Sequence, residues 1–236
     1  MEVQHMTHED RHETGTGTNT GAGSRLRAAL EAPASSVRLR AALAAGTVPD
    51  PGNIGLLVER CGVEPDFFVR DMLTWALTRH DPSSTVDMLL AELRSGNPQA
   101  RSQSLHTLSK IGGPRVWPAI TRDLLRDADD EVARTAWRTA AGLVPEGQVP
   151  GLAAELSSQF NRGDRDVQNS LSRAFVTLGS PAMPVVEQAK SASDPGVRAH
   201  ALATERIMLD PEVGFDAAIA EAQRVVALRG APLAGG

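Results

Sequence analysis

The sequence predicts an all-α fold, a right-handed α-solenoid of about five to six helical hairpins. Three observations predict it. A capping residue followed three positions later by an apolar or small residue recurs at intervals of 30 to 35 residues, the period of a stacked repeat. Aromatic residues make up only 3% of the chain and Tyr is absent, while Ala, Leu and Arg, all strong helix formers, dominate. The 15 prolines fall at joins or first turns, so no helical stretch is interrupted.

The repeating pairs are Asp66 with Val69, Asn97 with Ala100, Asp129 with Val132, Asp164 with Val167 and Asp194 with Val197, preceded by a weaker copy, Ala34 with Val37. Asp or Asn at such a position accepts hydrogen bonds from the free N–H groups of a new helix, worth about 1 kcal/mol per cap. Pro98 and Pro195 follow their caps directly, where a missing N–H costs nothing. Each cap opens an amphipathic stripe, as in Val69, Leu73, Ala76 and Leu77, or Val167, Leu171, Ala174, Phe175 and Leu178. A further amphipathic stretch precedes each cap: residues 86–93, 117–125, 152–160 and 184–189. Gly112-Gly113-Pro114, Gly179-Ser180-Pro181 and Asp210-Pro211 punctuate the joins. Neither helix of such a pair can bury its stripe alone, so the pairs must stack.

The array is expected over residues 24–229, closed by a last helix at residues 215–228. Residues 1–23 are polar and Gly/Thr-rich and read as a disordered leader. Residues 230–236 read as a flexible C-terminal end.

The turn and second-helix signatures resemble the HEAT-repeat family, in particular bacterial repeats related to phycobilisome-lyase subunits. They are Asp66-Phe67-Phe68-Val69-Arg70, Asn97-Pro98-Gln99-Ala100-Arg101, Asp129-Asp130-Glu131-Val132-Ala133-Arg134, and Asp194-Pro195-Gly196-Val197-Arg198-Ala199-His200-Ala201. The resemblance covers roughly residues 25–228. Ala133 and Gln168 stand where the family pattern places Arg. The resemblance implies that Arg38, Arg70, Arg101 and Arg198 bond to acidic turn residues of their own or the next repeat, and that the second helices line the concave side.

Composition narrows the function. The net charge of −5, much of it in the leader, does not indicate a strongly basic nucleic-acid protein. One cysteine, Cys61, allows no intrachain disulfide and argues against a Cys-based zinc site; it reads as a packing residue in a cytoplasmic protein. No run reaches the roughly 18 apolar residues of a membrane span. No cofactor and no metal site are expected. His5, His8 and His12 with Asp10 read as part of a solvated leader rather than a preformed site. HEAT-like deoxyhypusine hydroxylases hold iron through paired His-Glu dipeptides, yet the only such dipeptide here, His12-Glu13, lies in the leader, and His80, His106 and His200 belong to different repeats. HEAT-like DNA glycosylases need an acid beside aromatics, for which Asp71 with Trp75 is the nearest pair. Trp117 and Trp137 read as packing residues.

Charge placement carries the functional expectation. The twelve residues after each apolar marker contain eleven Lys or Arg against Asp71, Asp81 and Glu205. Helical spacing places Arg40, Trp75, Arg79, His106, Lys110, Arg138, Arg173 and His200 away from the core stripe, as a broken basic ridge in the concave groove. The expected function is a non-catalytic scaffold or adaptor whose groove takes an acidic protein segment. The alternative is a nucleic-acid binder related to the glycosylases, and a lyase- or hydroxylase-type enzyme ranks behind both. Arg122 and Arg126 are expected on the opposite, convex side.

Overall fold

The computed structural model describes residues 19–230. Thirteen α-helices follow one another, and no strand occurs among the described residues. Six hairpins pair a first with a second helix: α1 (Asn19–Leu30) with α2 (Ser35–Thr47), α3 (Ile54–Cys61) with α4 (Phe67–Thr78), α5 (Pro82–Glu92) with α6 (Pro98–Ile111), α7 (Arg122–Leu125) with α8 (Asp130–Leu143), α9 (Val149–Ser157) with α10 (Arg165–Leu178), and α11 (Met183–Ala189) with α12 (Pro195–Leu209). The second helices stack in chain order from α2 to α12, and α13 (Phe215–Gly230) lies on α12.

Every expected side-chain cap is present. Asp66 accepts from the N–H groups of Phe68 and Val69 at 2.9 and 3.1 Å. Asn97 accepts from Gln99 at 3.0 Å, Asp129 from Glu131 and Val132 at 3.0 and 3.1 Å, Asp164 from Asp166 and Val167 at 3.0 Å each, and Asp194 from Val197 at 2.8 Å. Ala34 makes no such bond.

The arginine after the marker is a staple. Arg38 Nη1 donates to the carbonyl oxygens of Ala32 and Pro33 at 2.9 and 2.8 Å, and its Nε and Nη2 reach the Glu64 carboxylate of the next hairpin at 2.8 Å each. Arg101 does the same with Ser95 O at 2.8 Å and Asp127 at 2.9 Å twice. Arg70 and Arg198 bond the carbonyls of their own turns instead, Glu64 and Pro65, and Ala192 and Ser193. Of the two departures, Ala133 is compensated from outside its helix. Arg162, in the turn of the next hairpin, donates to Asp127 O and, at 2.8 Å, to the Asp130 carboxylate. Its guanidinium lies 5.8 Å from the Trp137 ring centroid. Gln168 makes a weak replacement, Nε2 to Gly163 O at 3.4 Å.

Between neighbouring second helices run small hydroxyl side chains: Thr74 to Thr107 at 3.3 Å, Ser102 to Thr135 at 3.2 Å, and Ser172 to Thr204 at 2.7 Å. Short side chains let the helices approach, and each of these six hydroxyls finds its partner across the seam. One core cluster runs from Leu30 to Ala201, and a smaller one joins Ala203 and Ile207 of α12 to Phe215, Ile219 and Val226 of α13.

Two elements differ from expectation. Residues 117–125 do not form one helix: a 3-10 turn at Trp117–Ala119 is followed by the four-residue α7. Thr121 starts that helix anew, its Oγ1 accepting from Leu124 N at 3.4 Å. Helix α1 begins at Asn19, so its first turn takes up residues 19–23, whose Gly and Thr content favours no helix by propensity. The rest of the expected leader and residues 231–236 lie outside the described residues.

Candidate functional site

Register decides which side chains leave the stack. The sixth residue after each marker is Leu43, Trp75, His106, Arg138, Arg173 and, in α12, Ala203. Leu43, Trp75, Arg138 and Arg173 are exposed and His106 is half-buried, while Ala203 is sealed under α13. One row of side chains therefore runs along the second-helix face and ends where α13 begins. Arg79 and Lys110, one turn further on, are exposed beside it.

Between α4, α6 and α8 this face sinks into a groove of about 240 Å³, lined by Phe67, Asp71, Gln103, His106, Glu131 and Arg138 among others. Its charges are mixed. Glu131 forms ion pairs with Arg134 at 3.5 Å and with Arg138 at 3.7 Å. Burial lowers the His106 pKa below its ordinary 6.5, and Lys110 and Arg138 lower it further, against the opposing pull of Asp71 and Glu131. Arg79, Lys110 and Arg173 form no ion pair among the described residues. The arginines and lysine that brace the fold, Arg38, Arg60, Arg101, Arg162 and Lys190, are all paired.

Of the eight ridge residues read from the sequence, Trp75, Arg79, His106, Lys110, Arg138 and Arg173 share this face. Arg40 is exposed but off the row. It stands at the register of Thr135 and His200, which pack on the preceding second helix, and α2 has no described predecessor. His200 is a correction. It is 0% exposed. Its Nδ1 accepts the Asn161 N–H at 3.0 Å, and its Nε2 lies 3.0 Å from Gln168 O and 3.1 Å from Ser172 Oγ. The amide bond leaves the proton on Nε2. Phe160 and Phe215 meet the ring edge to face, at 5.0 and 5.8 Å between centroids. His200 thus clips the turn after α9 to α12; helical spacing alone could not show that the face beneath it is packed.

The sequence reading missed Phe67, Phe68 and Glu131. Phe68 is 71% exposed, and its ring meets that of Phe67 edge to face at 5.6 Å. Pro98, Asp130, Arg165 and Pro195 occupy the register of Phe67 in other repeats, so an aromatic there was a visible signal. Glu131 precedes its marker and fell outside the charge census. The packing readings of Trp137 and Cys61 hold: Trp137 is buried with its indole N–H on Leu125 O at 2.8 Å, and burial pushes the Cys61 thiol up to about 12. Trp117 is half-buried and donates to Gln148 at 2.9 Å. Among the described residues no three His, Cys, Asp or Glu side chains cluster as metal ligands do, and no helix is long and apolar enough to cross a membrane.

Stacked helical hairpins whose second helices share one open face make this an α-solenoid, a repeat scaffold. Residues 65–142 match the family model of HEAT repeats. No curated protein matches the sequence. Among solved structures, Kap121p bound to Ste12p aligns with a TM-score of 0.53 at 17% identity, over 88% of this chain and 25% of that one. An engineered protein aligns at 0.43 and 18%, over 85% and 97% of the two chains. Human deoxyhypusine hydroxylase in complex with glycerol aligns at 0.42 and 16%, over 88% and 95%.

Proposed function

We propose that the protein is a non-catalytic adaptor that binds an acidic protein segment along its second-helix face. The supporting observation is the row from Leu43 to the unpaired Arg173, together with the unpaired cations Arg79 and Lys110 beside it. The cations that brace this fold are bonded to carboxylates or to turn carbonyls, so Arg79, Lys110 and Arg173, which share one face and have no such partner among the described residues, are available to a ligand. Kap121p, a quarter of whose chain aligns with this fold, is bound to Ste12p, which accords with a protein ligand here. The carboxylates of Asp71 and Glu131 stand on the same face. A phosphate backbone carries charge at every step and would meet both, whereas a protein segment can set neutral residues against Asp71 and Glu131 and carboxylates only near the free cations, which favours a protein segment over nucleic acid. The buried thiol of Cys61 accords with a cytoplasmic setting.

The test is a titration of acidic peptides and of single-stranded DNA, with fluorescence anisotropy as readout. Binding of an acidic peptide that weakens with salt, and that is lost when Arg138 and Arg173 are both changed to Glu, is expected. Reversing Arg94, exposed and unpaired on the first-helix side, should leave it intact. Equal loss in both variants would refute this face as the site.

A further inference from the structure

We propose that the face reads its ligand with a fixed polarity, taking a large apolar side chain at the α2–α4 end and carboxylates at the α8–α10 end. This rests on the reading above and adds what the two ends of the segment must be.

Along one register the row changes chemistry from Leu43 and Trp75, through His106, to Arg138 and Arg173. The apolar end is built. A Cβ added at Gly46 would sit against the Trp75 ring and 2.8 Å from Ala76 Cα, so the indole lies directly on the α2 backbone. The ring remains 38% exposed and Leu43 beside it 45%, although a Trp seated so closely has its hydrophobic area only partly used. Phe67 extends apolar surface to the rim of the groove. At the other end Arg173 has no ion pair, and Arg138 shares a long one with Glu131. In the middle, Asp71, Gln103 and Glu131 offer acceptors that suit the backbone N–H groups of an extended chain. The row stops at α13, so the cationic end is also the closed end.

Packed helices lie about 10 Å apart and an extended chain rises about 3.3 Å per residue. About three ligand residues then span each helix. The apolar side chain on α4 and the carboxylates on α8 and α10 should be separated by about six to nine residues.

The experiment uses the full chain and four fluorescein-labelled probes: a peptide with Phe and Leu separated by about eight neutral residues from a Glu pair, the same peptide with the apolar pair as Ala, the same with Glu as Gln, and oligo(dT). Both chain directions of the first peptide are made. In one of them the first peptide should bind about tenfold more tightly than either altered peptide. Trp75→Ala should abolish the advantage over the Ala peptide and keep that over the Gln peptide. Arg138→Gln with Arg173→Gln should do the reverse. Leu43→Ala supplies a second test of the apolar end should Trp75→Ala lose its helical circular dichroism. If the Ala peptide binds as well as the first, polarity fails and the acidic-segment reading stands. If no peptide binds, both fail, and tight oligo(dT) binding with a steep salt slope would replace both with a nucleic-acid site.

Discussion

Arg38 and Glu64, twenty-six residues apart, form a two-point ion pair across the boundary between the first and second hairpins, with both N–O distances at 2.8 Å. Glu64 is fully buried, also accepts from Arg60 at 2.6 Å and from Asp66 N–H at 2.9 Å, and so ties two turns to one carboxylate. Arg101 and Asp127 repeat the relationship at the same spacing between the third and fourth hairpins. Removing one partner leaves a buried charge uncompensated, at a cost of about 3–5 kcal/mol. Glu64→Ala should therefore lower the thermal midpoint by many degrees, and more than Asp127→Ala, whose pair is partly open to solvent. Thermal melts followed by circular dichroism would show it, and an equal or smaller loss for Glu64→Ala would contradict the staple.

Glu64 also predicts acid sensitivity. Burial pushes its pKa up, but hydrogen bonds from Arg38, Asp66 N–H and Arg60 outweigh burial and hold it at about 2, against an ordinary 4.5. The folded state therefore resists protonation that the unfolded chain accepts. The contribution is whole above 4.5 and lost as pH falls toward 2. Urea midpoints measured across this range should fall steeply in the wild type and less steeply in Glu64→Gln.

His200 acts at higher pH. Burial lowers its pKa to about 4 despite the Gln168 carbonyl, which raises it. Its stabilising contribution is present above the ordinary 6.5 and lost as pH falls toward 4, a change on the order of 3 kcal/mol. Protonation would put a proton on Nδ1 and break the bond from Asn161 N–H. His200→Gln should be less stable at pH 7 and should flatten the pH dependence between 6.5 and 4. An unchanged slope in that variant would assign the dependence to other groups.

Gly46 controls Trp75. Ala at this position forces the indole off α2, so Gly46→Ala should shift the Trp75 fluorescence emission, isolated in a background with Trp117 and Trp137 changed to Phe. An unshifted spectrum would mean that the ring has room to move without changing its surroundings.

Arg138→Glu with Arg173→Glu should leave the melting curve within about 1 °C of wild type, because neither side chain is buried and the Arg138 pair with Glu131 is exposed. Arg122 and Arg126 are not neutral in the same sense: both pair with the Glu155 carboxylate, Arg122 at 2.8 Å. Reversing them would set three carboxylates together and should lower the midpoint measurably by the same melt.

The sequence by itself determined the repeat, its caps and its register. Those features are local: an Asp three residues before Val132 or Val167 caps a helix wherever that helix ends up, and the 3.6-residue period then assigns a core stripe. The same period placed Trp75, His106, Arg138 and Arg173 in one row, because equivalent positions on stacked helices face the same way. Only the tertiary structure decided which outward positions stay open. His200 and Ala203 have surface register, but α13 and the turn at Asn161 cover them. Likewise, Arg162 replaces the missing arginine of Ala133 from another hairpin, and Glu131 tempers a ridge that a count along the chain made basic. Contacts between hairpins depend on side chains some thirty residues apart, and no period within one helix contains them.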